Sequence, residues 1–319
     1  MLERSWVGRR VSVRRELGHG ANGRALFGDV VGDLLAVQDE HARIQTRHAT
    51  VDVALADVAI ARLVPPSTAD ELALEAVAAA GWRAEQTGAL GGWLLRAADG
   101  CTARANSVLP LHAPGLPLDE ALRAARSWYA ERGLPLRLQV PCEARRLLDA
   151  ELAERGWAAS PDVHVLTARL DTLPEPATSA AAHVGLAPEP DDAWLAHYRN
   201  GAGLAPAARR LLTRHDRVVF ASLVQDGGTA AIGRGVLDDG WLGVSAVAVD
   251  PSSRRHGLAR AIMAALHAWG AAHAATRAYL QVSADNPPAL ALYEGLGYLP
   301  HHDYRYRLDP GAEAVPITC

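Results

Sequence analysis

The sequence predicts a tandem α/β (α+β) protein preceded by a small all-β barrel. Three observations carry that reading. Residues 5–65 form short β-branched segments separated by Gly, Asp-Glu and His turns, the spacing of a small barrel. Two later stretches repeat one helix–strand–helix pattern, which indicates two related domains rather than a short-period solenoid. One apolar strand stops at Asp250-Pro251 and leads, through a small-residue loop, straight into an amphipathic helix.

The leader strands are read at Val11-Ser12-Val13, 25–27, 30–37, 44–47 and 50–54, and Pro65-Pro66-Ser67 breaks the chain. The barrel is therefore assigned residues 1–66. A helix follows over 71–80, strands over 92–97 and 101–109, and a Pro/Gly loop over 110–117. Leu118, Leu122, Ala125 and Tyr129 share one face of a helix over 118–132 that Gly133 stops. A strand at 136–140, a helix at 147–155 and a strand at 164–170 complete the first half, residues 67–174. The Pro/Ala/Ser-rich stretch 172–182 reads as a linker. In the second half, residues 175–319, helices are predicted over 193–199, 207–214, 258–273 and 288–296. Strands are predicted over 218–224, 230–237, 241–249, 278–283 and 304–308. Trp128, Leu138-Gln139-Val140 and Gly156-Trp157 match Trp269, Leu280-Gln281-Val282 and Gly297-Tyr298 at nearly equal spacing.

Composition narrows the function classes. Of 319 residues, 49% are hydrophobic and 21% charged, ordinary globular usage. No apolar run reaches the ~18 residues needed to cross a bilayer, and the first residues lack an apolar signal core. A cytoplasmic protein without a membrane partner is expected. A net charge of −4 argues against a nucleic-acid coat, which would be strongly basic. Every basic residue is arginine, which we read as codon usage. Cys101, Cys142 and Cys319 are scattered and suggest neither a zinc site nor a disulfide framework, so no metal is expected.

The stretch from Val247 to Arg260 carries the chemistry. A loop opening into a helix points several backbone N–H groups at one spot. The helix dipole adds positive charge there, so the spot favours a phosphate. Gly257 and Ala259 leave the amides unobstructed.

Here the sequence resembles the GCN5-related N-acetyltransferase (GNAT) superfamily. Arg254-x-x-Gly257-x-Ala259 stands where that family has Arg/Gln-x-x-Gly-x-Gly/Ala. Asn286, Ala289, Leu292, Tyr293, Gly297 and Tyr298 match its second signature without a gap. The resemblance implies a GNAT fold in tandem and acetyl-CoA as cosubstrate, with the pyrophosphate on the backbone of Arg255, His256, Gly257, Leu258, Ala259 and Arg260 beside Arg254. It implies that Val247, Ala248 and Val249 pair with the pantetheine arm like an added strand. A backbone N–H near Val247 would polarise the thioester carbonyl, and Asn286 would touch the pantetheine. Tyr293 would protonate the departing thiolate; the alternative for Tyr293 is a core aromatic.

The general base stays open among His197, Asp191, Glu189, a hairpin-turn Asp238 or Asp239, and a chain of waters. The first half lacks both signatures, and the prolines at 110, 114 and 117 remove N–H groups a pyrophosphate needs. It reads as a degenerate half without acetyl-CoA, although Arg104 and Asn106 share a face and either meet solvent or line a shared acceptor cleft. Gly18-His19-Gly20-Ala21-Asn22-Gly23 matches GxGxxG, but strands follow rather than the helix a dinucleotide site requires. His301-His302-Asp303 is taken as a solvated loop. The order of leader, degenerate half and active half resembles an actinobacterial tandem-GNAT family with an SH3-like leader. The leader's arginines offer a surface for an acidic protein partner, offset by nearby aspartates. The expected activity is acetyl transfer to a primary amine. The alternatives are mycothiol-synthase-like acetylation of a thiol-cofactor amine, or a non-catalytic module that binds coenzyme A and recruits a partner.

Overall fold

The structure, a computed structural model, describes residues 2–173, 184–198, 206–225 and 227–311. The chain divides into two compact units, Met1–Ser67 and Thr68–Cys319. Among the described residues no helix is long and apolar enough to cross a membrane.

The first unit holds β1 (Arg10–His19), β2 (Ala25–Gln38), β3 (His41–Gln45), β4 (Thr50–Ala54) and β5 (Val58–Leu63). They form one antiparallel sheet in the order β4-β3-β2-β1-β5 around Val11, Val13, Leu34, Ile44 and Val53. The expected closed barrel is not observed, because its edge strands β4 and β5 do not pair with each other. The GxGxxG stretch forms the end of β1 and the turn into β2, with Gly20 N donating to Arg24 O at 2.8 Å. No helix follows, as the strand-like sequence after it requires.

In the second unit, the first half contains α1 (Thr68–Ala80), β6 (Gln86–Leu90), β7 (Trp93–Ala97), β8 (Val108–Pro110) and α2 (Leu118–Ala130). It continues through β9 (Arg137–Pro141), α3 (Arg146–Glu154), β10 (Ala158–Ala159) and β11 (Val163–Arg169). The second half contains β12 (Val184–Ala187), α4 (Asp192–His197), α5 (Pro206–Thr213), β13 (Val218–Gln225), β14 (Gly228–Asp238) and β15 (Trp241–Val249). It ends with α6 (Leu258–Ala272), β16 (Arg277–Ser283), α7 (Pro287–Glu294) and β17 (Leu299–Leu308). The linker read over 172–182 lies, from residue 174 on, outside the described residues.

One twelve-stranded sheet runs through both halves in the order β12-β13-β14-β15-β16-β11-β17-β9-β8-β7-β6, with β10 beside β17. The halves exchange their last strands. β11, from the first half, lies between β16 and β17; β17, from the second, lies between β11 and β9. Arg305 and Arg307 of β17 clamp Asp149 of α3 at 3.1 and 2.7 Å, which fixes the donated strand in the other half.

Alternation along the strands assigns the faces. Val219, Ala221 and Leu223 of β13 pack with Leu258, Ile262 and Leu266 of α6, spaced four apart on one helix stripe. Phe220, between them, packs instead with Trp194 of α4 and Leu211 and Leu212 of α5. That second core also takes in Trp82, Cys101 and Ala105 from the first half.

Two further expectations need correction. The strand predicted over 101–109 is a 3-10 turn at Ala103–Ala105 followed by the short β8. Thr102 adopts φ 56°, which breaks a regular strand there. His301-His302-Asp303 is not a solvated loop; it lies within β17, with His302 buried and 2.9 Å from Glu75. Among the described residues no cluster of three His, Cys, Asp or Glu forms a metal site. Cys142 is a free thiol that burial pushes up to about 12.

Candidate active site

Strand β15 creates the site by leaving its neighbour. It pairs in parallel with β16 only from Trp241 to Val244, opposite Arg277 to Leu280. Beyond that point its remaining partner is β14, and the β14 register slips between Ile232 and Arg234. Ala246, with φ 55°, marks the bulge opposite that slip. The splay opens a cleft of about 410 Å³ whose walls include Val247, Ala248, Asn286, Ala289 and Tyr293.

At the end of β15 the Asp250 carboxylate accepts from Ser252 N at 2.8 Å and closes a turn. Arg255 (φ 65°) and Gly257 (φ 78°) are both left-handed. Backbone of this kind turns successive N–H groups toward one concavity. Gly257 is the N-cap of α6 and no side chain caps that end. A Cβ at Gly257 would meet nothing within 4 Å, so the glycine answers to φ alone. Leu258 is buried and anchors the helix, while Arg254, Arg255, His256 and Arg260 are exposed. The Arg260 guanidinium ties α6 to the end of α7 by donating to Gly295 O at 3.0 Å.

Asn286 caps α7, its Oδ1 accepting from Ala289 N at 3.3 Å, so it has a structural task as well as a place on the cleft wall. Tyr293 is 9% exposed. Burial pushes its phenol up to about 12, opposed by the Arg104 charge.

The opposite wall comes partly from the first half. Arg104, on the 3-10 turn, donates from Nε to Gln281 Oε1 at 2.6 Å and lies 5.7 Å from the Trp82 ring centroid. Asn106, paired with it in the sequence reading, does not line the cleft. It is 4% exposed, and its amide knits the loop by accepting from Ala98 N at 2.7 Å and donating to Cys101 O at 2.7 Å. Arg234 of β14 is 1% exposed and donates to backbone carbonyls, Leu212 O at 2.9 Å and Gly81 O at 3.2 Å. Burial brings it down to about 10, so it remains cationic at neutral pH. The Tyr279 hydroxyl is wedged between Gly81 and Gly243, where a Cβ would stand 2.7 and 2.4 Å from it. Arg234 escaped the sequence reading, although one charge inside the apolar, glycine-rich run 230–237 was a usable signal.

None of the base candidates lines the cleft. Asp191 caps α4 through Trp194 N at 2.7 Å, Asp238 lies 3.6 Å from His215, and Asp239 sits in the β14–β15 turn at φ 46°. Glu189 is exposed, and His197 acts on the Asp250 carboxylate at the mouth of the turn. Among the described residues the titratable groups on the cleft wall are arginines and tyrosines.

The family described as "Probable histone acetyltransferase Rv0428c C-terminal" matches residues 68–307. A Mycobacterium tuberculosis protein named "Probable histone acetyltransferase Rv0428c" is 35% identical over 313 residues, covering 95% of this chain and 96% of that protein. The solved structure of a GCN5-related N-acetyltransferase from Kribbella flavida matches at a TM-score of 0.60 and 20% identity, over 76% of this chain and 97% of its own. A tandem GNAT protein from the clavulanic acid biosynthesis pathway matches at 0.52 and 17% identity, over 79% of this chain and 91% of its own. At those identities the two structures speak to the fold.

Proposed function

The chain belongs to the GCN5-related N-acetyltransferase family, and we propose that it moves an acetyl group from acetyl-CoA to a primary amine in the cleft between β15 and β16. The splay beyond Val244, with Tyr293 in its wall, carries this reading. The released edge of Val247, Ala248 and Val249 offers backbone groups to the pantetheine arm. The amides from Arg255 to Arg260, at the dipole end of α6, suit the pyrophosphate. Asn286 uses its carbonyl oxygen as a cap, which leaves its NH₂ to donate to pantetheine.

In the reaction the C–N bond forms as the C–S bond breaks. The N–H near Val247 polarises the thioester carbonyl. Tyr293 holds its proton throughout the physiological range and donates a hydrogen bond to sulfur as thiolate charge develops. Full transfer from a phenol near 12 to a thiolate of pKa about 8.5 is uphill, so stabilising the leaving group is its main effect. The amine loses its proton to water, consistent with a wall of arginines and tyrosines.

The same reading makes residues 175–319 the catalytic half and 67–174 a degenerate half that supplies one cleft wall. It makes the leader a partner module and the compartment the cytoplasm, where acetyl-CoA is available. Free-thiol release from acetyl-CoA, followed with a panel of amines, tests it. Amine-dependent release is expected; acetyl-CoA binding without any acceptor-dependent release would point to a non-catalytic module.

A further inference from the structure

We propose that the inner wall of the cleft is an oxyanion site, in which Arg104 and Arg234 receive a carboxylate or phosphate carried by a small amine acceptor. This rests on the acetyl-transfer reading above and adds the acceptor's chemical class.

The inner wall presents two guanidinium groups, the phenols of Tyr198, Tyr279 and Tyr293, and among the described residues no carboxylate. Arg234 is almost wholly buried, yet the acceptors it meets are neutral carbonyls. A buried charge is normally paired with an opposite one. Arg104 and Arg234 also approach one indole, their guanidinium carbons 5.7 and 4.9 Å from the Trp82 centroid. Both guanidinium groups line the cleft, and a bound anion would offset the desolvation each of them bears.

Arg104 is oriented for the task. Its Nε is held on Gln281 Oε1, and Nη2 makes a long contact of 3.5 Å with Gln281 O. Its other near neighbours are the phenols of Tyr304, Tyr306 and Tyr198, so among the described residues no carboxylate meets the planar fork. An arginine fork matches a carboxylate or phosphate in a way a point charge does not. Arg104 also acts electrostatically on Tyr293, so an anion held there belongs to a molecule near the reacting centre.

The donor does not account for these charges. Pantetheine is neutral, and none of Arg254 to Arg260, the loop suited to pyrophosphate, lines this cleft. A lysine-rich peptide fits poorly, because a cationic acceptor would enter a wall that carries two guanidinium charges and, among the described residues, no carboxylate. The volume, about 410 Å³ shared with the end of the pantetheine arm, is near the small end of ligand sites.

The test uses the full chain and does not require the acceptor to be identified. Calorimetry first confirms acetyl-CoA binding; its absence would sink the acetyl-transfer reading itself. Thioethers of coenzyme A that carry a carboxylate or a phosphonate on a short carbon arm are then compared with their neutral amide counterparts. We expect the anionic form to bind about tenfold tighter or better, as charge-assisted bonds to arginine allow. That ratio should fall to near one in Arg104→Gln and be partly kept in Arg104→Lys. The carboxylate and phosphonate arms distinguish an amino-acid-like from a phosphorylated acceptor. Equal affinity for charged and neutral arms, or a preference unchanged in Arg104→Gln, overturns the proposal while leaving acetyl transfer standing. Turnover offers a second reading: paired amines with and without a carboxylate should differ in kcat/KM in the same sense, and a lysine-rich peptide preferred over both would refute it.

Discussion

The two halves of the second unit set the same pieces around two slots, one filled and one open. In the first half Arg96 of β7 donates to Ser107 Oγ at 2.8 Å and to Gln139 Oε1 at 2.9 Å. Gln139 in turn reaches Glu75, which faces His302 at 2.9 Å. The chain of side chains occupies the space beside β8 and β9. In the second half the equivalent buried arginine, Arg234 of β14, finds carbonyls only and faces a cleft. The loops differ in the same sense. Loop 111–117 is tied to the β6–β7 turn, with Gly92 N donating to Ala113 O at 2.7 Å, and a Cβ at Gly91 would stand 2.1 Å from Pro114 O. The loop before α6 has open space at Gly257. The fold supplies the framework twice; whether a slot binds a ligand depends on whether side chains and loop already satisfy it.

The largest effect should come from separating the halves. Residues 175–319 alone lack β11, which lies between β16 and β17 and buries Val165, Leu166 and Ala168. Losing the burial that Val165 and Leu166 contribute forfeits about 1.5–3 kcal/mol each, against a total stability of roughly 5–15 kcal/mol. We expect this fragment to show no cooperative melt by circular dichroism. A folded fragment that binds acetyl-CoA would show that strand exchange is dispensable.

Next in size is Tyr293→Phe, which removes the hydroxyl and keeps the ring packed. Removing one preorganised hydrogen-bond donor to developing charge costs about 10²–10³-fold, so kcat should fall within that range while acetyl-CoA affinity barely changes. With the phenol near 12, no alkaline loss of kcat in the parent enzyme should trace to Tyr293 below about pH 10. Full activity in the variant would return Tyr293 to the core.

How much of this was legible in the sequence follows from what is local. The strand ending at Val249, the loop before Leu258, the amphipathic stripe of α6 and Tyr293 were readable, because periodicity and turn residues fix them nearby. Strand exchange was not, since nothing in the residues of β11 specifies that β16 and β17 will flank it rather than β9. Arg104 was only half legible: it was placed beside Asn106 on a strand, and the turn at φ 56° of Thr102 sends one to the cleft and the other into the loop's own amides. Arg96 and Arg234 share one signature, a lone arginine in an apolar strand, which marks a buried charge in search of a partner without saying whether that partner is protein or ligand.

A smaller effect tests the loops directly. In Gly257→Glu the residue must hold a left-handed φ of 78°, a modest strain of about 1–2 kcal/mol, and a carboxylate joins the amides suited to pyrophosphate. Affinity for acetyl-CoA should drop about 100-fold, equivalent to roughly 3 kcal/mol, and titration of the parent chain should give one molecule per chain. Two molecules per chain, or native affinity in the variant, would mean that the filled slot of the first half also binds.

The smallest effect compares equivalent helix positions and depends on pH. By the match of Trp128 with Trp269, Arg126 of α2 corresponds to His267 of α6. Arg126 sits over Trp157 at 5.8 Å and pairs with Asp309 at 2.5 Å; its charge is permanent. His267 instead meets the Tyr298 hydroxyl at 2.8 Å, and burial lowers it from 6.5 to about 4. The folded state therefore prefers the neutral imidazole, and below pH 6.5 the unfolded chain binds the extra proton. Stability from this position is complete above about pH 6.5 and is lost as pH falls toward 4, by about 3 kcal/mol for such a shift. His267→Phe removes the titration and keeps an aromatic ring against Tyr298. Urea midpoints measured at about pH 7 and about pH 4.5 should converge more in the variant than in the parent. Equal acid sensitivity in the two would show that the second half tolerates a charge at this helix position as the first half does, and that the imidazole is not what sets its acid response.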